Sequence, residues 1–286
     1  MPELPEVEVV RRGAQHWFVD RMITHVSVTN SRAIRRHEPG EADFVGQLQG
    51  TTITGTGRRG KYFWFILDSG DVLVVHLGMS GQLRVQQMGD LVNPHLRVRV
   101  SFADQRDELW FIDQRTFGGM FIDELSEGES IPRSLSHIAA DPLSAEFDQA
   151  SVVRRMRSKV SPVKAVLLDQ TVVSGIGNIY ADESLWRARL HWQRPASSVP
   201  VGRLRELLDH SREVMTEALA VGGTSFDSLY VNVNGSSGYF SRQLAAYGRM
   251  GEPCRRCGTL LVREQFANRS SYRCPRCQRR ERGAKA

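Results

Sequence analysis

All four cysteines of this 286-residue chain fall into two Cys-x-x-Cys pairs, Cys254/Cys257 and Cys274/Cys277, with sixteen residues between the pairs. Few features constrain folding more. Two such knuckles at this separation match a tetrahedral four-thiolate zinc site, each knuckle clamping the metal from its own turn. Two disulfides are the alternative, but the N-terminus is acidic where a signal peptide is basic and then apolar, and no run of ~18 apolar residues exists. The chain therefore reads as cytoplasmic, where disulfides are rare. A closed thiolate shell leaves the metal no open position, so the expected zinc is structural, and its task is to hold a hairpin that bears Arg263, Arg269 and Arg273.

Charge is distributed unevenly. The net charge is +6, yet residues 249–286 hold 11 Lys+Arg against 3 Asp+Glu, leaving 27 basic and 29 acidic residues for positions 1–248. The basic excess lies entirely at the C-terminal end. Such a concentration points to a polyanionic partner, nucleic acid first and an acidic membrane surface second.

Length suffices for two domains with hydrophobic cores. Val7, Val10 and Ala14 lie at helical spacing, predicting a helix from residue 5 to about 16. From Met22 to Ile122 the texture turns to short β-rich runs: Ile23–Val28, Thr51–Thr56, Tyr62–Leu67, Val72–Leu77, Leu96–Phe102, Leu109–Ile112 and Met120–Ile122, separated by Gly, Asp and Ser turn signals. Strands at this spacing suggest a sandwich or barrel. Residues 124–148 lose the pattern and read as a linker. Beyond it the period becomes helical, most clearly at Leu204, Leu207, Leu208, Met215, Ala218 and Leu219, with Gly222-Gly223 as the stop.

Several stretches carry chemistry. Methionine aminopeptidases remove Met1 when a small residue such as Pro2 follows, which would leave a proline secondary amine beside Glu3. An α-amino group titrates near ~7.7–8.0 against ~10.4 for lysine, so such an amine is a far better nucleophile at neutral pH. Pro2-Glu3-Leu4-Pro5-Glu6 is equally a good helix start. In Ser174-Gly-Ile-Gly-Asn178, glycines followed by an N-cap Asn offer free N–H groups to a phosphate, or form an ordinary helix–helix turn. Arg154, Arg155, Arg157, Lys159 and Lys164 precede it. Arg58-Arg-Gly-Lys61 and Asp113-Gln-Arg-Thr-Phe-Gly118 place basic and aromatic residues on predicted turns, and His76-Leu-Gly-Met-Ser-Gly81 presents a methionine on a glycine-flanked loop. Met79 and Phe117 could be core residues at strand ends; in a DNA enzyme they would wedge into the base stack.

Taken together, Pro2-Glu-Leu-Pro-Glu6, Arg59-Gly-Lys61, His76 to Gly81, Arg115-Thr-Phe-Gly118, Gly175-Ile-Gly-Asn-Ile-Tyr180, Gly222-Gly-Thr224, Tyr247-Gly-Arg249 and the cysteine ribbon resemble the bacterial formamidopyrimidine-DNA glycosylases, in order, from Pro2 to about Cys277. The resemblance implies an α+β multidomain fold: an N-terminal β-sandwich with a leading helix (2–130), a linker (131–148), a helix-two-turn-helix α domain (149–240), a zinc finger (241–280) and a disordered basic tail (281–286). It implies a monomeric base-excision-repair enzyme that flips out and excises oxidised purines and then nicks the strand by β,δ-elimination. Its partner would be double-stranded DNA containing oxidised bases or abasic sites, lying in a cleft between the domains. Carried over by position, Pro2 is the Schiff-base nucleophile, Glu3 the acid assisting sugar-ring opening, Lys61 the residue of β-elimination, Arg269 that of δ-elimination and Glu6 a further active-site carboxylate. His95, Arg115, Lys159 or Lys164, and Asn178 fall where the family touches DNA; Met79, Arg115 and Phe117 match its void-filling trio. Residues 224 to about 239 would cover the flipped base, and Cys254, Cys257, Cys274 and Cys277 would bind one structural Zn2+. Leu4 matches the purine-specific branch, where the endonuclease VIII branch typically has Gly. The alternatives are such an oxidised-pyrimidine enzyme, or a non-catalytic zinc-ribbon protein that binds damaged DNA.

Overall fold

A computed structural model describes residues 2–126, 128, 130–223 and 243–280. The chain divides into two compact units, one of residues 1–137 with 221–239 and one of residues 138–220 with 240–286.

The first unit begins with α1 (Leu4–Phe18). The helix starts one residue before the expected point and runs past Gly13, because Leu4, Val7, Val10, Ala14 and Phe18 form one apolar stripe that is completely buried. Each such side chain contributes roughly 1.5–3 kcal/mol, enough to offset the ~1 kcal/mol cost of an internal glycine. The stripe packs on β2 (Ile53–Arg59) and β3 (Tyr62–Leu67).

Among the described residues of this unit, eight strands form two antiparallel four-stranded sheets. One has the order β1-β6-β7-β5, with β1 Ile23–Val28, β5 Gly81–Gln87, β6 Leu96–Phe102 and β7 Asp107–Asp113; the other has the order β2-β3-β4-β8, with β4 Asp71–His76 and β8 Gly119–Glu124. Val98, Val100, Leu109 and Phe111 from the first sheet and Phe63, Phe65, Leu73 and Val75 from the second share one core with α1. This is the expected sandwich with its leading helix. Two elements were not anticipated. β5 alternates Leu83 and Val85 with Gln82, Arg84 and Gln86, a period-two signal that its polar content conceals. The short α2 (Glu41–Leu48) is anchored by Phe44 and Leu48, one turn apart.

In the second unit, α3 (Gln149–Arg157) and α5 (Asn178–Arg187) pack on α6 (Val201–Ala220), whose Leu204, Leu207, Leu208, Met215 and Ala218 are all buried as the helical period requires, and α4 (Val163–Leu168) packs on α5. Residues 131–148, expected to be a linker, hold a short 3-10 turn at Arg133–Leu135 and bury Leu135, Ile138 and Asp141. The ribbon is a hairpin of β9 (Val262–Phe266) and β10 (Arg269–Arg273), closed by Ala267-Asn268 with Ala267 at φ 50°. Among the described residues no helix is long and apolar enough to cross a membrane. The expected tail, 281–286, lies outside the described residues.

One ion cluster ties α1 to the β2–β3 hairpin. Glu8 accepts from Arg11 at 3.0 Å and Arg12 at 2.8 Å on its own helix, and from Arg58 Nε at 3.0 Å fifty residues away. Burial alone would raise the Glu8 pKa; hydrogen bonds from Arg11 and Arg12 and the charges of Arg11 and Arg58 outweigh it and lower the value to about 2. A carboxylate depressed in the folded state stabilises the fold above its unfolded pKa and loses that contribution as pH falls through the folded value. Glu8→Gln should therefore lower Tm by about 3 °C or more near pH 7, the shift that ~1 kcal/mol gives in a domain of this size. The gap to the parent protein should narrow between pH 4.5 and pH 3. Thermal melts that keep a constant gap over that range would contradict this role for Glu8.

Candidate active site and zinc centre

Pro2, Glu3 and Glu6 are all buried at the head of α1. The Glu3 N–H donates to Glu6 Oε2 at 2.9 Å, one half of a capping box. The helix-start reading of these residues holds: the Glu6 carboxylate that caps α1 is bonded to the peptide nitrogen immediately after Pro2. Gly223 follows α6 at φ +85°, and a Cβ there would lie 3.2 Å from Glu6 Oε1. The expected base-covering loop, 224 to about 239, lies outside the described residues, but its first neighbour abuts Glu6.

Lys61 sits in the two-residue turn between Arg59 and Tyr62, with Gly60 at φ 56°, the left-handed geometry that tight hairpins favour. Arg58, gripped by Glu8, also donates to the Gly60 carbonyl at 3.1 Å. Glu8, Arg58 and Gly60 thereby connect α1 to the turn that carries Lys61. His76 lies beside this turn, its ring 4.5 Å from that of Tyr62. Burial first, then the charges of Arg36, Lys61 and Arg35, lower its pKa to about 4, so it is neutral at physiological pH.

Met79 and Phe117 are 40% and 42% exposed, so neither is a core residue at a strand end. Arg115 is exposed as well, and its guanidinium carbon lies 5.0 Å from the Phe117 ring centre. Asp113, which the sequence reading assigned no role, holds these side chains in one constellation. Its carboxylate is fully buried and accepts from Ser80 Oγ at 2.6 Å, from the Arg115 N–H at 3.1 Å and from the Gly118 N–H at 2.7 Å. Arg35 adds bonds to the Gly118 and Phe117 carbonyls at 2.8 and 3.0 Å. The two loops touch backbone to backbone: a Cβ on Gly78 would lie 2.4 Å from the Gly118 nitrogen. The bond from Arg115 back to Asp113 is an Asx turn, whose Asp-x-Arg signature was visible in the sequence. The partner Ser80, 33 residues away, was not.

In the second unit Lys159 is partly exposed, with its ammonium 3.6 Å from Asp169. Lys164 requires a correction. Its side chain is fully buried, its ammonium lies 2.7 Å from Asp182 and it donates to the Ser270 carbonyl at 3.3 Å. A cation so enclosed is not available to DNA, and removing its partner would leave a buried charge. Asp182 also accepts from Ser271 Oγ and the Tyr272 N–H, each at 2.9 Å, so the pair fastens β10 to α4 and α5. The N-cap reading of Asn178 is corrected as well. The N-cap of α5 is Gly177, while the Asn178 amide donates to the Ser270 carbonyl at 2.9 Å, next to the exposed Arg269.

The four cysteines are free thiols whose sulfurs lie within 4.8 Å of one another, with Cys257 3.5 Å from both Cys274 and Cys277. Sulfurs bound tetrahedrally at ~2.3 Å would be ~3.8 Å apart, so the donor set and spacing fit zinc. Hydrogen bonds from Thr259 lower the Cys257 pKa to about 6, while burial raises that of Cys274 to about 12. Without a cation such a cluster does not ionise as four thiolates. The residues suit one structural Zn2+, held by Cys254, Cys257, Cys274 and Cys277.

Three family models match in sequence: the formamidopyrimidine-DNA glycosylase N-terminal domain over residues 1–120, its H2TH domain over 138–229, and a zinc finger found in FPG and IleRS over 251–280. A formamidopyrimidine-DNA glycosylase of Mycolicibacterium gilvum is 58% identical over 285 residues, covering 99% of this chain and 100% of that protein. The chain belongs to the formamidopyrimidine-DNA glycosylase family. A relative from Salinispora arenicola is 56% identical, over 99% of this chain and 98% of its own length. Among solved glycosylase structures, a variant of Lactococcus lactis Fpg in complex with Fapy-dG-containing DNA aligns with TM-score 0.87 at 30% identity, covering 98% of this chain and all of that one. MutM in complex with DNA containing carbocyclic 8-oxo-G aligns with TM-score 0.86, also at 30% identity and covering 98% of this chain and all of MutM.

Because a zinc site of this kind contributes folding energy directly, stripping the metal with a strong chelator should unfold the β9–β10 ribbon. Metal analysis should find one Zn2+ per chain, and the loss of ribbon structure should reverse on adding zinc. A ribbon that keeps its native hydrogen-exchange protection after complete metal removal would contradict a structural role.

Proposed function

We propose that this glycosylase is bifunctional, excising oxidised purines such as 8-oxoguanine and formamidopyrimidines through a Schiff base on Pro2 and then cleaving the strand. The supporting observation is the head of α1, where Pro2, Glu3 and Glu6 are buried together in a family whose relatives are named for this excision. Removal of Met1 gives Pro2 a secondary amine. Its lone pair attacks the sugar carbon that bears the damaged base, the base leaves with the electrons of the glycosidic bond, and Glu3 protonates the ring oxygen as the sugar opens. The resulting iminium accepts electrons from the adjacent carbon when its proton is removed, expelling the 3′ phosphate. A second elimination expels the 5′ phosphate. Lys61 serves the first elimination and Arg269 the second, with Glu6 polarising the groups around the amine.

Double-stranded DNA containing oxidised bases or abasic sites is the partner. Met79, Arg115 and Phe117 occupy the space left by the extruded nucleotide, and the buried Asp113 keeps the three presented together. His95 and Arg115 in the first unit, and Lys159 and Asn178 in the second, contact the backbone. Asn178 acts from a position already bonded to the strand that carries Arg269. Leu4 goes with the purine-specific branch of the family.

Borohydride should reduce and trap a covalent adduct between the zinc-loaded protein and 8-oxoguanine or abasic DNA. Pro2→Gly or a form that retains Met1 should reduce trapping by about two orders of magnitude or more, the scale expected when an activated nucleophile is lost. Excision of 8-oxoguanine opposite cytosine should exceed excision of thymine glycol. No adduct from folded, zinc-loaded protein would overturn the bifunctional reading, and preferred cleavage of thymine glycol would overturn the purine assignment.

A further inference from the structure

On the outer face of the β1-β6-β7-β5 sheet a cavity of about 160 Å3 is lined by Gln82, Arg84, Gln86, Asn93, His95 and Gln114. Among the described residues no carboxylate lines it. Arg84 projects from β5 opposite Trp110 of β7, on the face away from the core. Among the described residues it makes no hydrogen bond and no ion pair, and its Nε is buried without a partner. The carboxylate that shares this face of β7, Glu108, is committed elsewhere: it accepts from Trp110 Nε1 at 2.8 Å and from Ser101 Oγ at 2.7 Å. Burial with no compensating acid lowers the Arg84 pKa. The His95 imidazole also has no protein partner among the described residues; only the backbone of His95 is engaged, its N–H on Asn93 Oδ1 and its carbonyl on the Asp113 N–H.

A half-buried guanidinium without a counter-ion is an expensive arrangement. Buried charges in folded proteins are almost always paired, and each exception calls for a reason. Six uncharged or weakly basic polar side chains around one cation bring no competing negative charge, which suits an oxyanion. The cavity adjoins the wedge loops within the same unit: its lining includes Ser80, next to Met79, and Gln114, next to Arg115.

We propose that this cavity is a phosphate seat in which Arg84 grips a backbone phosphate of the DNA strand passing the Met79 and Arg115 loops. His95, already a DNA contact in the proposed function, supplies the second donor. The inference rests on that DNA-binding reading and adds Arg84 as an affinity determinant that has no part in the chemistry at Pro2. Binding would complete an electrostatic pair that the free protein leaves open, so the unpaired cation lowers the stability of the free protein and is compensated only in the complex.

The test is fluorescence anisotropy on a short duplex containing a tetrahydrofuran abasic analogue, measured at several KCl concentrations for the parent protein, Arg84→Met and Arg84→Lys. Each neutralised phosphate contributes about 0.9 to the slope of log Kd against log salt. Arg84→Met should weaken binding roughly tenfold at 0.1 M KCl and reduce the slope by about 0.9, whereas Arg84→Lys should keep most of the slope. The Tm of free Arg84→Met should be equal to or above that of the parent, because the desolvated charge is gone. An unchanged slope and affinity in Arg84→Met would overturn the phosphate seat. A lowered Tm with an unchanged slope would also overturn it, identifying Arg84 as a packing side chain. Failure of the parent protein itself to bind the duplex would instead remove the DNA-binding reading on which the seat rests.

Discussion

The buried Glu8 carboxylate is the constraint on which the α1 side of the first unit depends. Two of its arginines come from α1 and help to fix the helix register; the third, Arg58, reaches it from β2 and passes the connection on to the Gly60 carbonyl. The head of α1 and the turn that holds Lys61 are thus coupled by charge-assisted hydrogen bonds, which are stronger and more directional than apolar packing. Packing alone, through Val7, Val10 and Ala14, would leave the helix free to shift along its axis by small amounts. Chemistry at an N-terminal amine tolerates little of that, since ~1 Å of misplacement is worth about two orders of magnitude in rate.

The same logic separates the basic side chains into two kinds. Arg35, Arg58 and Lys164 are structural: each binds carbonyls or a carboxylate and sets the position of a loop, a turn or a strand. Arg115 and Arg269 are exposed, and Arg84 is half-buried with no acid partner among the described residues, so no internal carboxylate commits these three. Acids follow a matching division. Glu8, Asp113 and Asp182 accept from donors far along the chain, while Glu3 and Glu6 accept locally, in the capping box at the helix head. A count of charges along the chain sees neither division, because burial decides it.

Much of the architecture was legible because it depends on local periodicity. Tyr62–Leu67 and Leu96–Phe102 alternate as strands must, Leu204 to Ala218 repeat as a helix must, and two Cys-x-x-Cys pairs can hardly do anything other than share a metal. What escaped depended on distant partners. β5 was hidden because an edge strand with a polar outer face carries Gln and Arg where a buried strand carries Val. Asp113 was quoted as part of a turn, but its function rests on Ser80 across the sheet. Lys164 stood at the end of a basic run with Arg154, Arg155, Arg157 and Lys159; the helix turns it inward toward Asp182, which only the packing of α4, α5 and β10 reveals. Asn178 had the right residue type for a cap, yet Gly177 takes that position and frees the Asn amide for Ser270.

The most direct measurement of this account is the location of the covalent bond. After borohydride reduction of the complex with abasic DNA, proteolysis and tandem mass spectrometry should place the reduced sugar on the nitrogen of Pro2, with the adjoining Glu3 to Glu6 segment unmodified. Recovery of the adduct on the Lys61 ε-amine, or on any other lysine, with Pro2 unmodified would contradict the claim that α1 is anchored in order to present an N-terminal nucleophile.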